Sequence, residues 1–332
     1  MKHGANIYKY SSTLKCQPNE IIDFSSNINL YQPRADLQIS TEMIVKYADS
    51  SYKTLKKSIS KRYEIKKSQM ALYNGATSAI FELLSSLPQK DVCLYAPLYG
   101  EYEKACKQHH KKIIKINRLK DSKLKPKKGS IVIFVNPSTP EGKYYKLDVL
   151  LKEWKKRNIT VILDESFLEF EDLKSYRQEI NTYKNLYIIQ SFSKFHSCAG
   201  VRIGAIFSHK KNIKILNTPL WNLSSFDVEF LGQRLLDRDF ETQSKTIHKQ
   251  QKEELFNILK NSDLFTKIYK SDSNFFLCKS RLAPLIFKKL LEEKILVRTC
   301  DSFDFLGKKH LRFAVKDKIS HEKLKKALDE IS

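Results

Sequence analysis

The feature that most constrains this chain is a series of short apolar runs: VCLY (92–95), IIKI (113–116), IVIFV (131–135), TVILD (160–164), LYIIQ (186–190) and RIGAIF (202–207). Their hydrophobicity is continuous rather than alternating. That is the pattern of strands covered on both faces, so it points to a mostly parallel α/β sheet. Helical patterns fall between the runs, as in ATSAIFELLSSL (76–87) and LDVLLKEWKKRN (147–158), and provide the crossovers that parallel strands require. After about residue 230 the texture changes to long charged helical stretches, followed by FFLCKS, ILVRTC and HLRFAV. This reads as a second, smaller α+β lobe. A chain of 332 residues can bury one large core with such a partner beside it.

Composition removes several function classes. No run approaches the roughly 18 apolar residues of a membrane span. The N-terminus, MKHGANIYKYSS, lacks the apolar segment of a signal peptide. Six cysteines (16, 93, 106, 198, 278 and 300) are scattered without a CxxC pair, which argues for reduced thiols in a cytoplasm and against a metal site. The net charge of +23 is a sharper test. Residues 107–129, KQHHKKIIKINRLKDSKLKPKKG, hold ten Lys/Arg against one Asp. No aromatic residue interleaves them and no nucleic-acid motif appears, so the excess reads as a lysine-biased solvated surface that attracts anionic substrates. The expected partners are therefore a small anionic substrate, with neither nucleic acid nor membrane.

Glycine is scarce, with nine in the chain, yet two of them fall in SFSKFHSCAGVRIG (191–204). That stretch places Lys194 among serines straight after a buried strand. A lysine at the mouth of an α/β sheet can form a Schiff base if its surroundings keep the amine reactive, and Arg202 provides a positive neighbour. Ser191, Ser193 and Arg202 together suit a phosphate. Asp164 ends the strand TVILD, where a carboxylate suits a protonated ring nitrogen. NGATSAI (74–80) leads through Gly75 into a helix, whose first amides and dipole favour a phosphate near Ala76 and Thr77. Tyr99 suits stacking on a flat ring. Each element alone has an ordinary reading: a solvated turn, a helix start, a core tyrosine. SFSK also matches the S-x-x-K of penicillin-binding enzymes, but their KTG element is missing. Order and spacing together carry the signal.

Taken together, GAT (75–77), PLYGEYE (97–103), NPSTPEG (136–142), DESFLEF (164–170) and SFSKF…GVRIG resemble the fold-type-I pyridoxal-phosphate enzymes, closest to the histidinol-phosphate aminotransferase branch. Within that branch HGANIYKY (3–10), IIDFSSNIN (21–29) and ILVRTCDSF (295–303) most resemble the threonine-phosphate decarboxylases of cobalamin synthesis. The resemblance implies pyridoxal 5'-phosphate as cofactor, carried on Lys194, with Asp164 on its ring nitrogen and Tyr99 on its face. It implies Ala76, Thr77, Ser191, Ser193 and Arg202 around the cofactor phosphate. Tyr47, in YADSSY, matches a tyrosine that reaches the phosphate of a neighbouring subunit, which implies a homodimer. Arg312, in LRFAV, matches an arginine gripping the substrate's acidic group. His3, Asn27 and Arg298 match residues around the substrate carboxylate and phosphate. The same resemblance divides the chain into an N-terminal arm (1–30) that contributes to the substrate site, a large cofactor-binding domain (31–230) and a small C-terminal domain (231–332).

Two departures from the family pattern bear on chemistry. NPSTPEG places Thr139 where the family carries asparagine near the ring hydroxyl. Phe167 stands where the aminotransferases carry tyrosine, as in the decarboxylases. The expected activity is decarboxylation of O-phosphothreonine or O-phosphoserine to an amino-alcohol phosphate. The alternative is transamination of histidinol phosphate or a related amino-phosphate. One methyl group is worth only about 1–3 kcal/mol in a pocket, so the two phospho amino acids stay unresolved here.

Overall fold

The computed structural model describes residues 6–32, 39–120 and 125–331. Its centre is a seven-stranded sheet in the order Met70–Asn74, Ile203–Ser208, Leu186–Ser191, Thr160–Asp164, Ile131–Val135, Asp91–Ala96, Lys112–Asn117. All strands run parallel except Ile203–Ser208, which is antiparallel to both of its neighbours. The sheet is thus mostly parallel, as the apolar runs suggest.

Burial on both faces explains the continuous runs. Along Ile131–Val135, Val132 and Phe134 join one apolar cluster with Leu55, Ile59 and Trp154. Ile131, Ile133 and Val135 join the cluster on the opposite face with Leu83, Leu84 and Tyr102. Because side chains alternate across a strand, every position must be apolar when both faces are covered. Each fully buried aliphatic side chain contributes about 1.5–3 kcal/mol. The helices Lys53–Tyr63, Gly75–Ser86, Glu101–Gln108 and Asp148–Lys156 supply those covers.

The sequence expectations need three corrections. Lys112–Asn117 is an edge strand with only Ile116 fully buried, so IIKI is not covered on both faces. Its lysines sit where an open edge would otherwise invite pairing with another chain. Ile203–Ser208 is reversed, a direction that a fully buried strand does not reveal in its composition. Met70–Asn74 was not anticipated as a strand, although its first four residues are buried.

The C-terminal part has its own sheet, ordered Arg298–Thr299, His310–Ala314, Phe275–Lys279, Lys267–Ile268, and antiparallel throughout. The helices Arg238–Lys260, Ala283–Glu292 and Lys318–Asp329 accompany it around a separate apolar core containing Leu255, Ile286, Phe313 and Leu324. Among the described residues no helix is long and apolar enough to cross a membrane.

The segment between the two cores positions the site. Ile22–Asp23 pairs in parallel with Ile295–Leu296. Ala314 N then donates to Phe24 O at 2.9 Å, and Asn29 N donates to Lys194 O at 3.0 Å. Residues 22–29 therefore tie the smaller sheet to the loop that carries Lys194.

Candidate active site

Parallel strands open a crevice at their carboxyl ends, and the chemistry-bearing residues collect there. Asp164 and Ser191 end their strands. Asn74 ends another and caps the helix Gly75–Ser86. The reversed strand Ile203–Ser208 begins at this same edge, so Arg202 returns beside the residues that the preceding strand has just delivered. The run SFSKFHSCAGVRIG is thus a turn between two antiparallel strands. It folds Ser193, Lys194 and Arg202 onto one cavity of about 290 Å³.

That cavity is lined by Ala76, Thr77, Tyr99, Thr139, Asp164 and Ser191, and by Ser193, Lys194, Arg202, Asn27, Arg298 and Arg312. The sequence-identified residues therefore converge, with two exceptions. Tyr47 is 78% exposed outside the cavity and stacks on Trp221 with ring centroids 4.6 Å apart. His3 lies outside the described residues.

Electrostatics sets the state of the central groups. Burial lowers the Lys194 amine to about 8, helped by the positive charges of Arg202 and Arg312. A tenth of such amines are neutral at pH 7, against fewer than about one in a thousand for an ordinary lysine. Asp164 is pushed the other way, since burial raises its carboxyl; hydrogen bonds from Ser166 and Tyr102 and the charge of Lys194 oppose the rise. Ser166 N donates to Oδ1 at 2.9 Å and the Tyr102 hydroxyl donates to Oδ2 at 2.8 Å. Both oxygens are thereby fixed in place.

Two glycines let the helix start and Arg202 come together at the cavity. Gly75 has φ +76°, and a Cβ there would meet Arg202 Nη2 at 2.7 Å. Gly204 has no room for a Cβ either, because it would lie 2.3 Å from Ala76 N. The absence of both side chains lets the helix start, the strand and the guanidinium meet. Arg202 Nη1 is 3.5 Å from Ser193 Oγ and donates to Ala199 O at 3.0 Å. The Tyr99 and Thr77 hydroxyls lie 3.4 Å apart at the same mouth.

The smaller sheet contributes two arginines. Arg298 and Arg312 are direct partners across antiparallel strands, and both are buried. Arg312 donates to Thr139 Oγ1 at 3.1 Å and to Ser25 O at 2.9 Å, while its buried Nε has no hydrogen-bond partner among the described residues. Arg298 donates to Ser302 Oγ at 3.0 Å and lies over the Phe303 ring. Like charges directly opposite on a sheet destabilise it, and buried charge costs more. The arrangement is intelligible if an anion occupies the space between them.

Three features escaped the sequence reading. Tyr102, which holds Asp164, was hidden behind Tyr99 in YGEYE. Ser25 and Ser26 line the cavity, and Asp23 folds them there by accepting from Ser25 N, Ser25 Oγ and Ser26 N at 2.8, 2.5 and 3.2 Å. An aspartate two residues before the first of those serines is the available signal of such a turn. Phe303, the last residue of ILVRTCDSF, also lines the cavity and was not singled out there.

These residues fit pyridoxal phosphate. A reactive amine, a carboxylate for the ring nitrogen, and the helix start at Ala76 and Thr77 with Arg202 beside it lie around one cavity, and the close approach of helix, strand and guanidinium there leaves no room for a Cβ at Gly75 or Gly204. Lys194 and Asp164 would hold the ring, and Ala76, Thr77, Ser191, Ser193 and Arg202 its phosphate.

Comparison with known proteins agrees. The family model "Aminotransferase class I and II" matches residues 4–331. The chain is 32% identical to the adenosylcobalamin biosynthesis bifunctional protein CobDQ of Leptospira interrogans, matching all of this chain but spanning only 41% of that longer protein. It is 23% identical to the threonine-phosphate decarboxylase of Salmonella typhimurium, over 99% of this chain and 96% of the relative. It is 26% identical to the histidinol-phosphate aminotransferase of Flavobacterium johnsoniae, over 76% of each. The crystal structure of the histidinol-phosphate aminotransferase from Clostridium acetobutylicum superposes with a TM-score of 0.82 at 26% identity, covering 94% of this chain and 99% of that one. With its fold-type-I architecture, its cofactor cup and a match along almost its whole length, the chain belongs to the class I and II aminotransferase family of pyridoxal-phosphate-dependent enzymes.

Proposed function

We propose that this enzyme decarboxylates a small O-phosphorylated amino acid, O-phospho-L-threonine or O-phospho-L-serine, to the corresponding amino-alcohol phosphate. The observation that carries the reading is the buried pair Arg298 and Arg312, set opposite one another across the cavity wall. Two guanidinium groups suit a ligand with two anionic ends. Arg312 is among the charges that act on Lys194, so its site is the nearer to the reacting carbon and suits the carboxylate. Arg298, backed by Ser302 and Phe303, suits the phosphate, with Asn27 in the same cavity lining; His3, outside the described residues, is assigned there from the sequence resemblance alone. Phe167 in the cavity wall and the decarboxylase relatives support the same branch.

Pyridoxal phosphate, held by Lys194 and Asp164, would supply the electron sink for the bond that breaks at the substrate carbon. The protein selects that bond by orientation. Arg312 and Arg298 fix the two ends of the substrate, which sets the rotation of the carbon between them. Asp164, fixed by Tyr102 and Ser166, would serve the ring nitrogen of that cofactor. Lys194, poised near neutrality, holds or releases a proton at Nζ next to that carbon. In this reading the chain divides into an N-terminal arm (1–30) that contributes to the substrate site, a large cofactor-binding domain (31–230) and a small domain (231–332).

The active form is a homodimer in this reading. Tyr47 lies beside Ile44, Val45 and Leu220, all at least 68% exposed, and this apolar face offers the tyrosine to the phosphate cup of a second copy. The test is product analysis with both phospho amino acids, with and without 2-oxoglutarate, in wild type, Arg298→Ala and Arg312→Ala. Carbon dioxide release that needs no oxo acid and falls severely in both variants is expected. Amination of an oxo acid without carbon dioxide overturns the proposal in favour of transamination.

A further inference from the structure

Lys316 is a buried cation that the chemistry above does not use. It follows the strand His310–Ala314 by two residues and is 5% exposed. Its Nζ donates to Ser26 O at 3.0 Å. Among the described residues it forms no ion pair, and burial draws its amine down to about 8, with Asp23 and Asp317 raising it and Arg312 lowering it further. Asp23, the nearer candidate for compensation, is committed to the turn at Ser25 and Ser26. An ammonium so placed is costly unless its position serves something else.

Its placement relative to the cavity supplies the reason. Arg312 holds Ser25 O and Lys316 holds the next carbonyl, Ser26 O. Asn274 Nδ2 holds the one after that, Asn27 O, at 2.8 Å. Three consecutive carbonyls of the segment are thus held by side chains, while Ser25, Ser26 and Asn27 line the cavity. The Lys316 backbone is itself fixed, because Lys316 N donates to His321 Nε2 at 3.0 Å and His321 Nδ1 faces Glu254 Oε2 at 3.0 Å.

We propose that Lys316 is a positioning residue for the anion pocket: it holds the Ser25–Asn27 wall in register with Arg312 and adds a further positive charge to that wall. It acts through the wall and does not touch the substrate. This rests on the reading of the cavity as a site for a phosphorylated amino acid, so one arm of the test uses inorganic phosphate, whose binding needs no reaction.

The experiment compares Lys316→Met and Lys316→Arg with wild type as holoenzymes. Methionine matches the stem and removes the charge and donor, whereas arginine retains both. In Lys316→Met the KM for the phospho amino acid and the dissociation constant for inorganic phosphate should each rise about tenfold, the scale of one charged hydrogen bond. The kcat should stay within about threefold, since the reacting groups are untouched. Lys316→Arg should recover most of the loss. A Lys316→Met protein that melts at lower temperature but keeps wild-type KM and phosphate affinity would make the residue merely structural. Equal losses in kcat and in cofactor retention would overturn the proposal too. If no turnover is found in any variant but the phosphate constants separate as expected, the positioning role stands and only the assigned reaction fails.

Discussion

Gly204 and Gly200 lie four residues apart in one motif, and the structure predicts opposite outcomes for the same substitution. At Gly204 an alanine Cβ would stand 2.3 Å from Ala76 N, 2.6 Å from Ala76 Cα and 2.6 Å from Gly75 C. All three are backbone atoms, so no side chain can swing aside. Reaching the 3.4 Å of ordinary contact requires the helix start to move by about 1 Å. Gly204 is held in register between Tyr73 and Ser191, so the strand has little freedom to yield in its place. Overpacking of this kind costs about 1–3 kcal/mol of stability. The displaced amides of Ala76 and Thr77 belong to the phosphate cup, and each charged hydrogen bond lost there is worth about 1.5–3 kcal/mol. Gly204→Ala should therefore weaken pyridoxal-phosphate binding by about tenfold to a few hundredfold. At Gly200 nothing lies within 4 Å of the added carbon, so Gly200→Ala should bind as wild type does. The assay is titration of apo-protein with pyridoxal phosphate, followed by visible absorbance, with melting curves alongside. Wild-type affinity in Gly204→Ala, or an equal loss in Gly200→Ala, would refute the steric reasoning.

Other consequences follow from charge and contact. Capture of cofactor by the apo-protein should accelerate as pH rises, with a midpoint near the Lys194 value of about 8. Arg202→Gln removes a positive neighbour and should move that midpoint upward; a downward shift would reverse the assigned cause. His321 is fully buried, and burial holds its imidazole below the ordinary value of about 6.5, so the folded state binds fewer protons there than the unfolded state. Its contribution to stability is complete above the unfolded value and is lost as pH falls through the folded one. Melting temperatures between pH 7.5 and about 5 should fall more steeply in wild type than in His321→Asn. Mixing Tyr47→Phe with Lys194→Ala subunits should restore activity, because one hybrid site then keeps both groups. Full activity in a protein shown to be monomeric would contradict the shared site.

Much of the site was legible because it sits at the ends of buried strands. Asp164, Ser191, Lys194 and Arg202 each adjoin a run whose apolar character is unmistakable, and turn chemistry at Gly75 marks the helix that completes the cup. What stayed hidden depends on contacts between distant parts of the chain. Nothing near Ser25 or Ser26 announces that Arg312 and Lys316 will hold their carbonyls, for those pairs lie 287 and 290 residues apart. Lys316 is one of 60 basic residues and reads as surface until its burial is seen. The direction of Ile203–Ser208 is likewise silent in sequence, since a strand covered on both faces has the same composition whichever way it runs. Met70–Asn74 was missed because a five-residue run is too short to separate from a buried helix segment by periodicity.

The central claim is that two anchored anionic ends direct bond cleavage to the carboxyl group. The most direct measurement is mass analysis of the product formed from O-phosphoserine in deuterium oxide, without any added oxo acid. Decarboxylation predicts an amino-alcohol phosphate that keeps its nitrogen and carries one deuterium on the carbon that lost its carboxyl group, with one carbon dioxide per product. No carbon dioxide under these conditions, with a phosphorylated oxo acid that retains its carboxyl group appearing only once 2-oxoglutarate is supplied, would contradict it.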